Sequence, residues 1–405
     1  MSGMLSGIRV VESSAFVAAP VCGMTLAQLG ADVIRFDPIG GGVDANRWPV
    51  TAKGESLYWA GLNKGKRSLA VNLADPRGRE LVAALIAAPG PNAGFYLTNL
   101  PVRDGLDYET LKAKRADVIM LLIQGNPDGS TAVDYTVNAA VGFPFVTGPE
   151  SAIGPVNNVL PAWDLTCGLH AAIGLLTADR HRRLTGEGQQ ITLSLFNVGA
   201  ALTAALGYTA EAEINGTDRE RLGNSIYGTF GRDFPTSDGR RIMVPIVTAR
   251  QMMDLAKATG QEGQMKALEA SRGLDLRKDG DRWSAREALA ALFEPWFAAR
   301  PYNEIAGVLA RAGILFGPYQ RFTELVRDDT RFTTANKMIA EIEQPGVGRY
   351  RVPGSPLDFG ASPRLPPAPA PRLGQHTDEI LSSVLGLDSG AIGRLHDAGV
   401  VAGPK

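Results

Sequence analysis

The sequence of 405 residues predicts an α/β fold in which helices cover both faces of a mainly parallel sheet, together with a second, smaller domain. Two observations lead to this prediction. Short β-branched segments alternate with segments of helical periodicity through the first half of the chain, a pattern typical of doubly wound sheets. From residue 222 to residue 320 the pattern changes to one hairpin followed by several helices, which indicates a separate domain.

The first half begins with a βαβ unit. Residues 8–12 form a β-branched strand, residues 20–30 have the helical spacing of an apolar face, and residues 32–36 form the next strand. The alternation continues with strands at 68–73, 94–98, 118–123 and 190–195 and helices at 76–88, 108–115 and 164–184.

The second half has a different composition of elements. Residues 230–247 predict a hairpin that turns at 237–239, and residues 250–259, 286–299 and 302–312 have helical periodicity. The proline-rich segment 362–371 predicts an extended arm, which precedes a final helical pair over 377–395.

The composition excludes several classes of protein. Hydrophobic residues make up 44% of the chain and the formal net charge is −1, so we expect neither a membrane span nor a nucleic-acid-binding surface. The apolar segment 15–29 resembles the core of a signal peptide, but it lacks a charged leader and continues into a strand, so we expect no cleavage. Two cysteines cannot form a disulfide framework, and a reducing cytoplasm is therefore the expected location.

Common catalytic motifs are missing from the sequence. Residues 13–20 contain no glycine where a dinucleotide-binding turn would need them, and residues 61–68 have the wrong spacing for a phosphate-binding loop. No Gly-x-Ser-x-Gly occurs, and the four histidines lack the spacing of metal ligands, so we expect no metal. Several cations near predicted strand ends instead suggest a phosphate-bearing ligand. They are Arg35, Arg47, Lys64, Lys66, Arg67 and Arg103.

Asp164 and Cys167 are the candidate nucleophiles. Asp164 begins the long helix, where a carboxylate can cap free N–H groups or, being ionised at neutral pH, attack an activated acyl group. Both readings are consistent with its position. Cys167 and His170 share a helix face, but their apolar neighbours favour packing in the core over a nucleophilic pair.

Several motifs along nearly the whole chain resemble those of the family III CoA-transferases. They are GIRVVE at 7–12, AP at 19–20, LGADVIR at 29–35, NKGKRS at 63–68, Asn99, RLTGEGQ at 183–189 and LGQHT at 373–377. The resemblance implies a large Rossmann-like domain built from residues 1–205 and the returning segment 330–405. It also implies a small α+β domain over 222–320 and an interlocked homodimer.

The resemblance also implies roles for individual residues. Asp164 matches the aspartate nucleophile of the family, and the backbone of Val17 and Ala18 matches the loop that faces the reacting carbonyl. Residues expected near the coenzyme are Arg35, Lys66, Asn99, Leu100 and Arg103. No cofactor is implied beyond the coenzyme A that the substrate carries.

A narrower resemblance, within the family, indicates the reaction. It lies in SAFVAAP at 14–20, IRFDPIGGG at 34–42, VDYTVN at 133–138, PAWD at 161–164, YG at 227–228, FGRDF at 230–234 and PGSPLDF at 353–359. These segments imply intramolecular transfer of CoA that converts 2-methylfumaryl-CoA to 3-methylfumaryl-CoA, with a bound dicarboxylate as intermediate, in the 3-hydroxypropionate carbon-fixation bicycle.

Three alternatives remain open at the level of sequence. The first is an intermolecular CoA-transferase acting on another carboxylic acid. The second is an α-methylacyl-CoA racemase, although Val133 occupies the position at which racemases carry their histidine base. The third is a non-catalytic CoA-binding protein in which Asp164 only caps its helix.

Overall fold

A computed structural model describes residues 3–404. The strands are β1 (Arg9–Ser13), β2 (Asp32–Asp37), β3 (Arg67–Val71), β4 (Phe95–Thr98), β5 (Ile119–Gln124), β6 (Gln189–Ser194), β7 (Phe230–Pro235), β8 (Arg241–Ile246), β9 (Gly317–Pro318), β10 (Ile339–Gln344), β11 (Gly348–Pro353) and β12 (Val401–Ala402).

The helices alternate with the first six strands and dominate the middle of the chain. They are α1 (Ala18–Gln28), α2 (Leu57–Leu62), α3 (Pro76–Ala87), α4 (Tyr108–Lys114), α5 (Asp134–Ala140), α6 (Phe143–Val146), α7 (Ala162–Thr185), α8 (Leu195–Ala205), α9 (Tyr208–Asn215), α10 (Ala249–Thr259), α11 (Glu262–Arg272), α12 (Asp279–Ser284), α13 (Arg286–Ala298), α14 (Tyr302–Arg311), α15 (Phe322–Asp328), α16 (Thr377–Leu385) and α17 (Ser389–Asp397), with a 3-10 turn at Thr330–Phe332.

The central sheet confirms the predicted fold class. Its seven strands have the order β12-β3-β2-β1-β4-β5-β6, and every neighbouring pair is parallel except β12 with β3. The order 3-2-1-4-5-6 is that of a Rossmann-type doubly wound sheet. Val401 of β12 pairs with Val71, so the C-terminal end of the chain completes the edge of a sheet that the N-terminal half begins.

The described residues form two compact units. The larger unit comprises residues 3–141, 159–211 and 330–404, and its core packs α3, α16 and α17 against the buried β-branched and aromatic residues of the sheet. The smaller unit comprises residues 142–158 and 212–329. Residues 142–158 therefore belong to the smaller unit, although the sequence-based division placed them within 1–205.

The smaller unit has its own core. Strands β7, β8 and β9 form an antiparallel sheet, and helices α10, α11, α13 and α14 cover it with fully buried apolar side chains. Phe234 and Phe297 stack in this core with ring centroids 4.3 Å apart and planes 6° from parallel. The predicted turn at 237–239 connects the two longer strands.

The described residues contain neither a membrane-spanning helix nor a cluster of metal ligands. None of the helices within residues 3–404 is both long enough and apolar enough to cross a bilayer. No three histidine, cysteine, aspartate or glutamate side chains in the same part of the chain are arranged to hold a metal ion.

Candidate active site

The loops after β1 and β4 lie side by side at the point where the strand order reverses. Ser13 of β1 pairs with Thr98 of β4, and the two strands continue into helices on opposite sides of the sheet. Open α/β sheets bind their ligands at this point. The structure thus brings the predicted residues Val17 and Ala18 close to Asn99 in the larger unit.

The loop after β1 is held by two side chains. The amide of Asn99 pairs with the backbone of Ala15, accepting from its N–H at 2.9 Å and donating to its carbonyl at 2.8 Å. The next residue, Phe16, has a φ of 62°, which is unusual for a bulky residue, and its N–H donates to Asp44 Oδ2 at 3.1 Å. Both ends of the Asn99 amide are therefore used within the protein, which differs from the expected coenzyme contact.

The side chain of Arg35 is buried inside the protein. Its side chain is 1% exposed and forms ion pairs at 2.9 Å with Asp37 and with Asp44. It also donates to the carbonyl of Ser14 at 3.0 Å and lies over the ring of Trp59. Burial alone would lower the pKa of Arg35, but the two carboxylates outweigh it and raise that pKa above its ordinary value. The charge of Arg35 is therefore already neutralised inside the protein, whereas the resemblance led us to expect this residue near the coenzyme.

Lys66 is buried in the same way. Its Nζ donates to Glu12 Oε1 at 2.7 Å, to Asn63 Oδ1 at 3.0 Å and to the carbonyl of Pro20 at 3.0 Å, and neither member of the Lys66–Glu12 pair is exposed. Burial lowers the pKa of Lys66, and Glu12 opposes that shift. All three ammonium protons of Lys66 therefore have acceptors inside the protein, whereas the resemblance led us to expect this residue near the coenzyme.

Asp134, and not Asp164, caps the long helix. Helix α7 begins after Pro161, and Asp134 Oδ2 accepts from the backbone N–H groups of Trp163 at 2.8 Å and Asp164 at 3.0 Å. Free N–H groups at a helix start are normally satisfied in this way. The capping interpretation of Asp164 is therefore wrong, since the neighbouring carboxylate of Asp134 performs that function.

Two effects make Asp164 a basic carboxylate. Burial, and secondly the charge of Asp134, raise the pKa of Asp164 to about 7. The sequence led us to expect full ionisation at neutral pH, whereas a pKa near 7 leaves about half of the side chains protonated. A carboxylate of higher pKa is also a stronger nucleophile once it is ionised.

Helices α1 and α7 bring Asp164 close to the loop after β1. Gly168 lies one turn beyond Asp164 on the same face, and a Cβ added to Gly168 would be 2.5 Å from the carbonyl of Ala18. Only glycine allows this close approach of the two backbones. The first N–H groups of α1 have no partner within the helix, and the contact at Gly168 packs the start of α1 against the first turns of α7.

A cavity of about 380 Å³ opens beside the same loops. It contains Leu100 and Arg103 of the loop after β4, and the side chain of Arg103 is exposed. The other residues that line it are Ser13, Ser14, Ala15, Phe36, Asp37, Pro38, Gly42, Val43, Leu73, Tyr96, Pro101, Val102 and Leu106. An elongated, largely apolar ligand with one anionic end fits such a lining.

The alternative nucleophile does not have the required environment. Cys167 is fully buried, and burial followed by the charge of Asp164 raises the pKa of its thiol to about 12. His170 is exposed, and its Nδ1 lies 2.9 Å from the carbonyl of Thr166. The structure thus agrees with the packing interpretation of Cys167.

Comparison with known proteins identifies the family. The model of CoA-transferase family III matches residues 5–377. The chain belongs to CoA-transferase family III. It is 56% identical to 2-methylfumaryl-CoA isomerase of Chloroflexus aurantiacus, over 100% of this chain and 99% of the relative. It is 27% identical to human succinyl-CoA:glutarate CoA-transferase, over 98% and 90% of the two chains.

Solved structures support the same assignment. A CAIB/BAIF family protein from Brucella suis superposes with a TM-score of 0.79 at 26% identity, covering 95% of this chain and 100% of that one. The resemblance that the sequence motifs indicated is confirmed.

Three residues of this family III CoA-transferase were not identified from the sequence as parts of the site. Asp134 lies about thirty residues before Asp164, and no local motif connects the two. Asp44 and Tyr58 lie in the segment between β2 and β3, where no periodicity indicates which side chains turn inward. One signal was present for Arg35. In DVIRFD the i, i+2 spacing of a strand places Arg35 and Asp37 on the same face.

Proposed function

We propose that this family III CoA-transferase converts 2-methylfumaryl-CoA to 3-methylfumaryl-CoA by moving CoA from the C1 to the C4 carboxyl group of one substrate. The identity to the Chloroflexus relative supports the choice of substrate. The geometric observation that carries the proposal is the carboxylate of Asp164, which Asp134 relieves of capping, together with the packing of Gly168, one turn beyond it, against the start of α1.

The chemistry begins with attack of an Asp164 oxygen on the C1 thioester carbonyl. The C–S bond breaks and gives a mixed anhydride and a CoA thiolate. The thiolate then attacks the aspartyl carbonyl, which releases the C1 carboxylate and leaves an aspartyl-CoA thioester. The C4 carboxylate attacks this thioester and again expels the thiolate. Attack of the thiolate on the C4 carbonyl yields the product and regenerates Asp164, so that no proton is gained or lost overall.

Each attack passes through an oxyanion that needs hydrogen-bond donors. The N–H groups near Val17 and Ala18 are our candidates, and one well-placed donor contributes about 3 kcal/mol to such a transition state. Leu100 and Arg103 bind the coenzyme in the adjoining cavity. Arg35, Lys66 and Asn99 act as positioning residues, because they hold the loop after β1 and the start of α1 instead of contacting the ligand.

We also propose a homodimer. Leu169 and Ile173, one turn apart on α7, are 50% and 61% exposed, and Val159 and Leu160 just before the helix are 89% and 56% exposed. Exposed apolar side chains concentrated on one helix and the residues just before it are typical of a subunit interface. Light scattering should give twice the chain mass, and Leu169→Glu together with Ile173→Glu should give a monomer. A monomeric wild-type protein would contradict this part of the proposal.

The proposal further places the enzyme in the 3-hydroxypropionate carbon-fixation bicycle and in the cytoplasm, where its two buried thiols are expected to stay reduced. No cofactor is needed beyond the CoA of the substrate.

The decisive experiment measures both the incorporation of labelled mesaconate and the dependence of turnover on Asp164. Purified protein is incubated with 2-methylfumaryl-CoA and an excess of carbon-13-labelled free mesaconate. We expect unlabelled 3-methylfumaryl-CoA from the wild type and turnover lower by orders of magnitude from Asp164→Asn. The matched control is Asp107→Asn, which replaces the capping aspartate of α4 and should retain full activity.

Each alternative gives a different result in the same experiment. Label in the CoA ester would indicate an intermolecular transferase. Deuterium uptake from solvent at the α-carbon would indicate racemase chemistry, for which Val133 supplies no base at the start of α5. Full activity of Asp164→Asn, with no hydroxylamine-trapped aspartyl adduct in the wild type, would overturn the covalent mechanism.

A further inference from the structure

Arg47 differs from most of the other cations of the cluster near the strand ends. Its guanidinium carbon lies 5.1 Å from the ring centroid of Phe16 and 5.4 Å from that of Tyr58. The residue is exposed, and no carboxylate forms an ion pair with it among residues 3–404. Arg35 and Lys66 are neutralised inside the protein, and Arg67 pairs with Asp32, so these three cations are not free to meet an anion. A guanidinium that lies over aromatic rings and has no carboxylate partner keeps N–H donors for a planar anion.

The surrounding chain holds Arg47 in place from both sides. The hydroxyl of Ser56 donates to the carbonyl of Arg47 at 2.6 Å, and the N–H of Arg47 donates to the carbonyl of Asp44 at 3.2 Å. Although Asp44 is only three residues away, its carboxylate is used by Arg35 and by the N–H of Phe16. The same N–H bond supports the left-handed backbone of Phe16, whose ring lies against Arg47.

Two observations place Arg47 close to the nucleophile. The backbone contact between Gly168 and Ala18 sets the first turn of α7 beside the loop that contains Phe16. Independently, Tyr58 interacts electrostatically with Asp164 and with Arg47, and its partial burial is the main reason that its pKa is raised to about 12. A phenol that stays neutral at physiological pH can donate a hydrogen bond to an anion held by Arg47.

We propose that Arg47 binds the carboxylate of the acyl group that is not esterified to CoA, and thereby restricts the substrates to CoA monoesters of short dicarboxylic acids. This inference rests on the proposed function and deepens it. In the first half of the reaction Arg47 holds the C4 carboxylate while Asp164 attacks C1, and in the second half it holds the released C1 carboxylate while C4 reacts. An anchor that accepts either end of the diacid keeps the intermediate bound between the two transfers.

Arg47 is also within reach of a second kind of anion, a phosphate of the coenzyme. The cavity that Arg47 lines shares Gly42 and Val43 with the proposed coenzyme cavity. The two sources are separable. Every CoA ester carries the same phosphates, whereas only a dicarboxylic monoester carries a free carboxylate. Arg103, exposed in the coenzyme cavity, is the cation that we assign to the phosphate.

The test compares Arg47→Gln and Arg47→Lys with the wild type on two substrates. One is 2-methylfumaryl-CoA, and the other is crotonyl-CoA, whose acyl group lacks the second carboxylate. Formation of the acylated Asp164 is measured by mass spectrometry of quenched protein, and the affinity for free CoA by calorimetry. The matched control is Arg77→Gln, an exposed arginine of α3.

We expect Arg47→Gln to acylate about 10- to 200-fold more slowly with 2-methylfumaryl-CoA, the range for losing a charged hydrogen bond. Acylation by crotonyl-CoA and affinity for CoA should remain within about threefold of the wild type. Arg47→Lys should recover part of the loss, since lysine restores the charge without the bidentate geometry. Equal losses with both esters, together with weaker binding of CoA, would assign Arg47 to a coenzyme phosphate and overturn the inference, as would unchanged acylation by both.

Failure of the proposed function would have a different signature. The wild type would then form no adduct with either ester, and calorimetric binding of free mesaconate to the protein saturated with CoA would test Arg47 alone. Loss of mesaconate binding in Arg47→Gln, with CoA binding retained, would support the carboxylate site without any covalent chemistry. Unchanged mesaconate binding would contradict it.

Discussion

The carboxylate of Asp134 accepts a hydrogen bond from the backbone N–H of Asp164 at 3.0 Å. A second carboxylate is thus hydrogen-bonded to the peptide group of the candidate nucleophile. Asp134 has two effects on Asp164. It caps α7 in place of Asp164, and its negative charge adds to the burial that raises the pKa of Asp164 to about 7.

This relationship makes Asp134 a determinant of the pH dependence. In the wild type, kcat/KM should fall as the pH decreases through about 7, because protonated Asp164 cannot attack the thioester. Asp134→Asn keeps an oxygen that can cap the helix but removes the charge, so the acidic limb of the pH profile should move to lower pH. Steady-state rates between pH 5 and pH 9 measure this shift. An acidic limb that stays in place would show that burial alone determines the pKa of Asp164.

Asp134→Ala separates capping from charge. This variant should show the same displacement of the pH profile and should also lose about 1 to 2 kcal/mol in its free energy of unfolding. Urea unfolding at pH 7 measures the loss. Equal stability of Asp134→Ala and Asp134→Asn would argue against a capping role.

The raised pKa of Asp164 also predicts that its ionised side chain destabilises the fold. Below pH 4 both the folded and unfolded chains hold this proton, but between pH 4 and pH 7 the unfolded chain releases it first, so the contribution of Asp164 to stability decreases as the pH rises. Asp164→Asn lacks this cost. It should be more stable than the wild type by about 2 kcal/mol at pH 8, after allowance for partial exposure, and equally stable at pH 4.

Thermal and urea unfolding at the two pH values check this expectation. Asp107→Asn serves as the control, because Asp107 caps α4 and its hydrogen bonds with Thr110 lower the pKa of its carboxyl group. Its replacement should lower stability at pH 8, which is the opposite sign. Equal stability of Asp164→Asn and the wild type at pH 8 would contradict a raised pKa.

Asn99 offers a test of loop positioning. Its amide holds both backbone groups of Ala15, one residue before the strained Phe16. Asn99→Ala should lower kcat by about tenfold or more, because the donors near Val17 and Ala18 lose their alignment, while the affinity for CoA changes little. A loss of CoA affinity with unchanged kcat would instead restore the direct coenzyme contact expected from the sequence.

The fold was predictable because the alternation of strands and helices is a local property of the chain. The order of the strands was less accessible, since periodicity shows that a strand exists and not which strand lies next to it. Strand β12 illustrates the limit. It has two residues, Val401 and Ala402, and pairs antiparallel with β3 at the far end of the sequence, so no local pattern could have assigned it to the sheet.

The sequence singled out Asp164 as the candidate nucleophile, but it could not show how the charged residues of the site are paired. The sequence does not distinguish a cation at a strand end that faces a ligand from one that faces an internal carboxylate. Arg35 pairs with Asp44, and Lys66 pairs with Glu12 from another strand, and both contacts exist only in the folded sheet. Capping by Asp134 has the same origin, because a helix thirty residues upstream supplies the acceptor.

The buried pair of Lys66 and Glu12 yields the last prediction. Removing one member leaves an uncompensated charge in the interior, so Lys66→Met should lower the free energy of unfolding by about 3 to 5 kcal/mol. The double variant, Glu12→Gln with Lys66→Met, should recover a large part of this loss, because no buried charge remains. It should still turn over slowly, since the bond from Lys66 to the carbonyl of Pro20 fixes the start of α1.

A double-mutant cycle by urea unfolding measures the coupling between Glu12 and Lys66, and the exposed pair Arg77–Asp75 should show none. A coupling between Glu12 and Lys66 as small as that of the exposed pair would mean that the two charges are hydrated in solution.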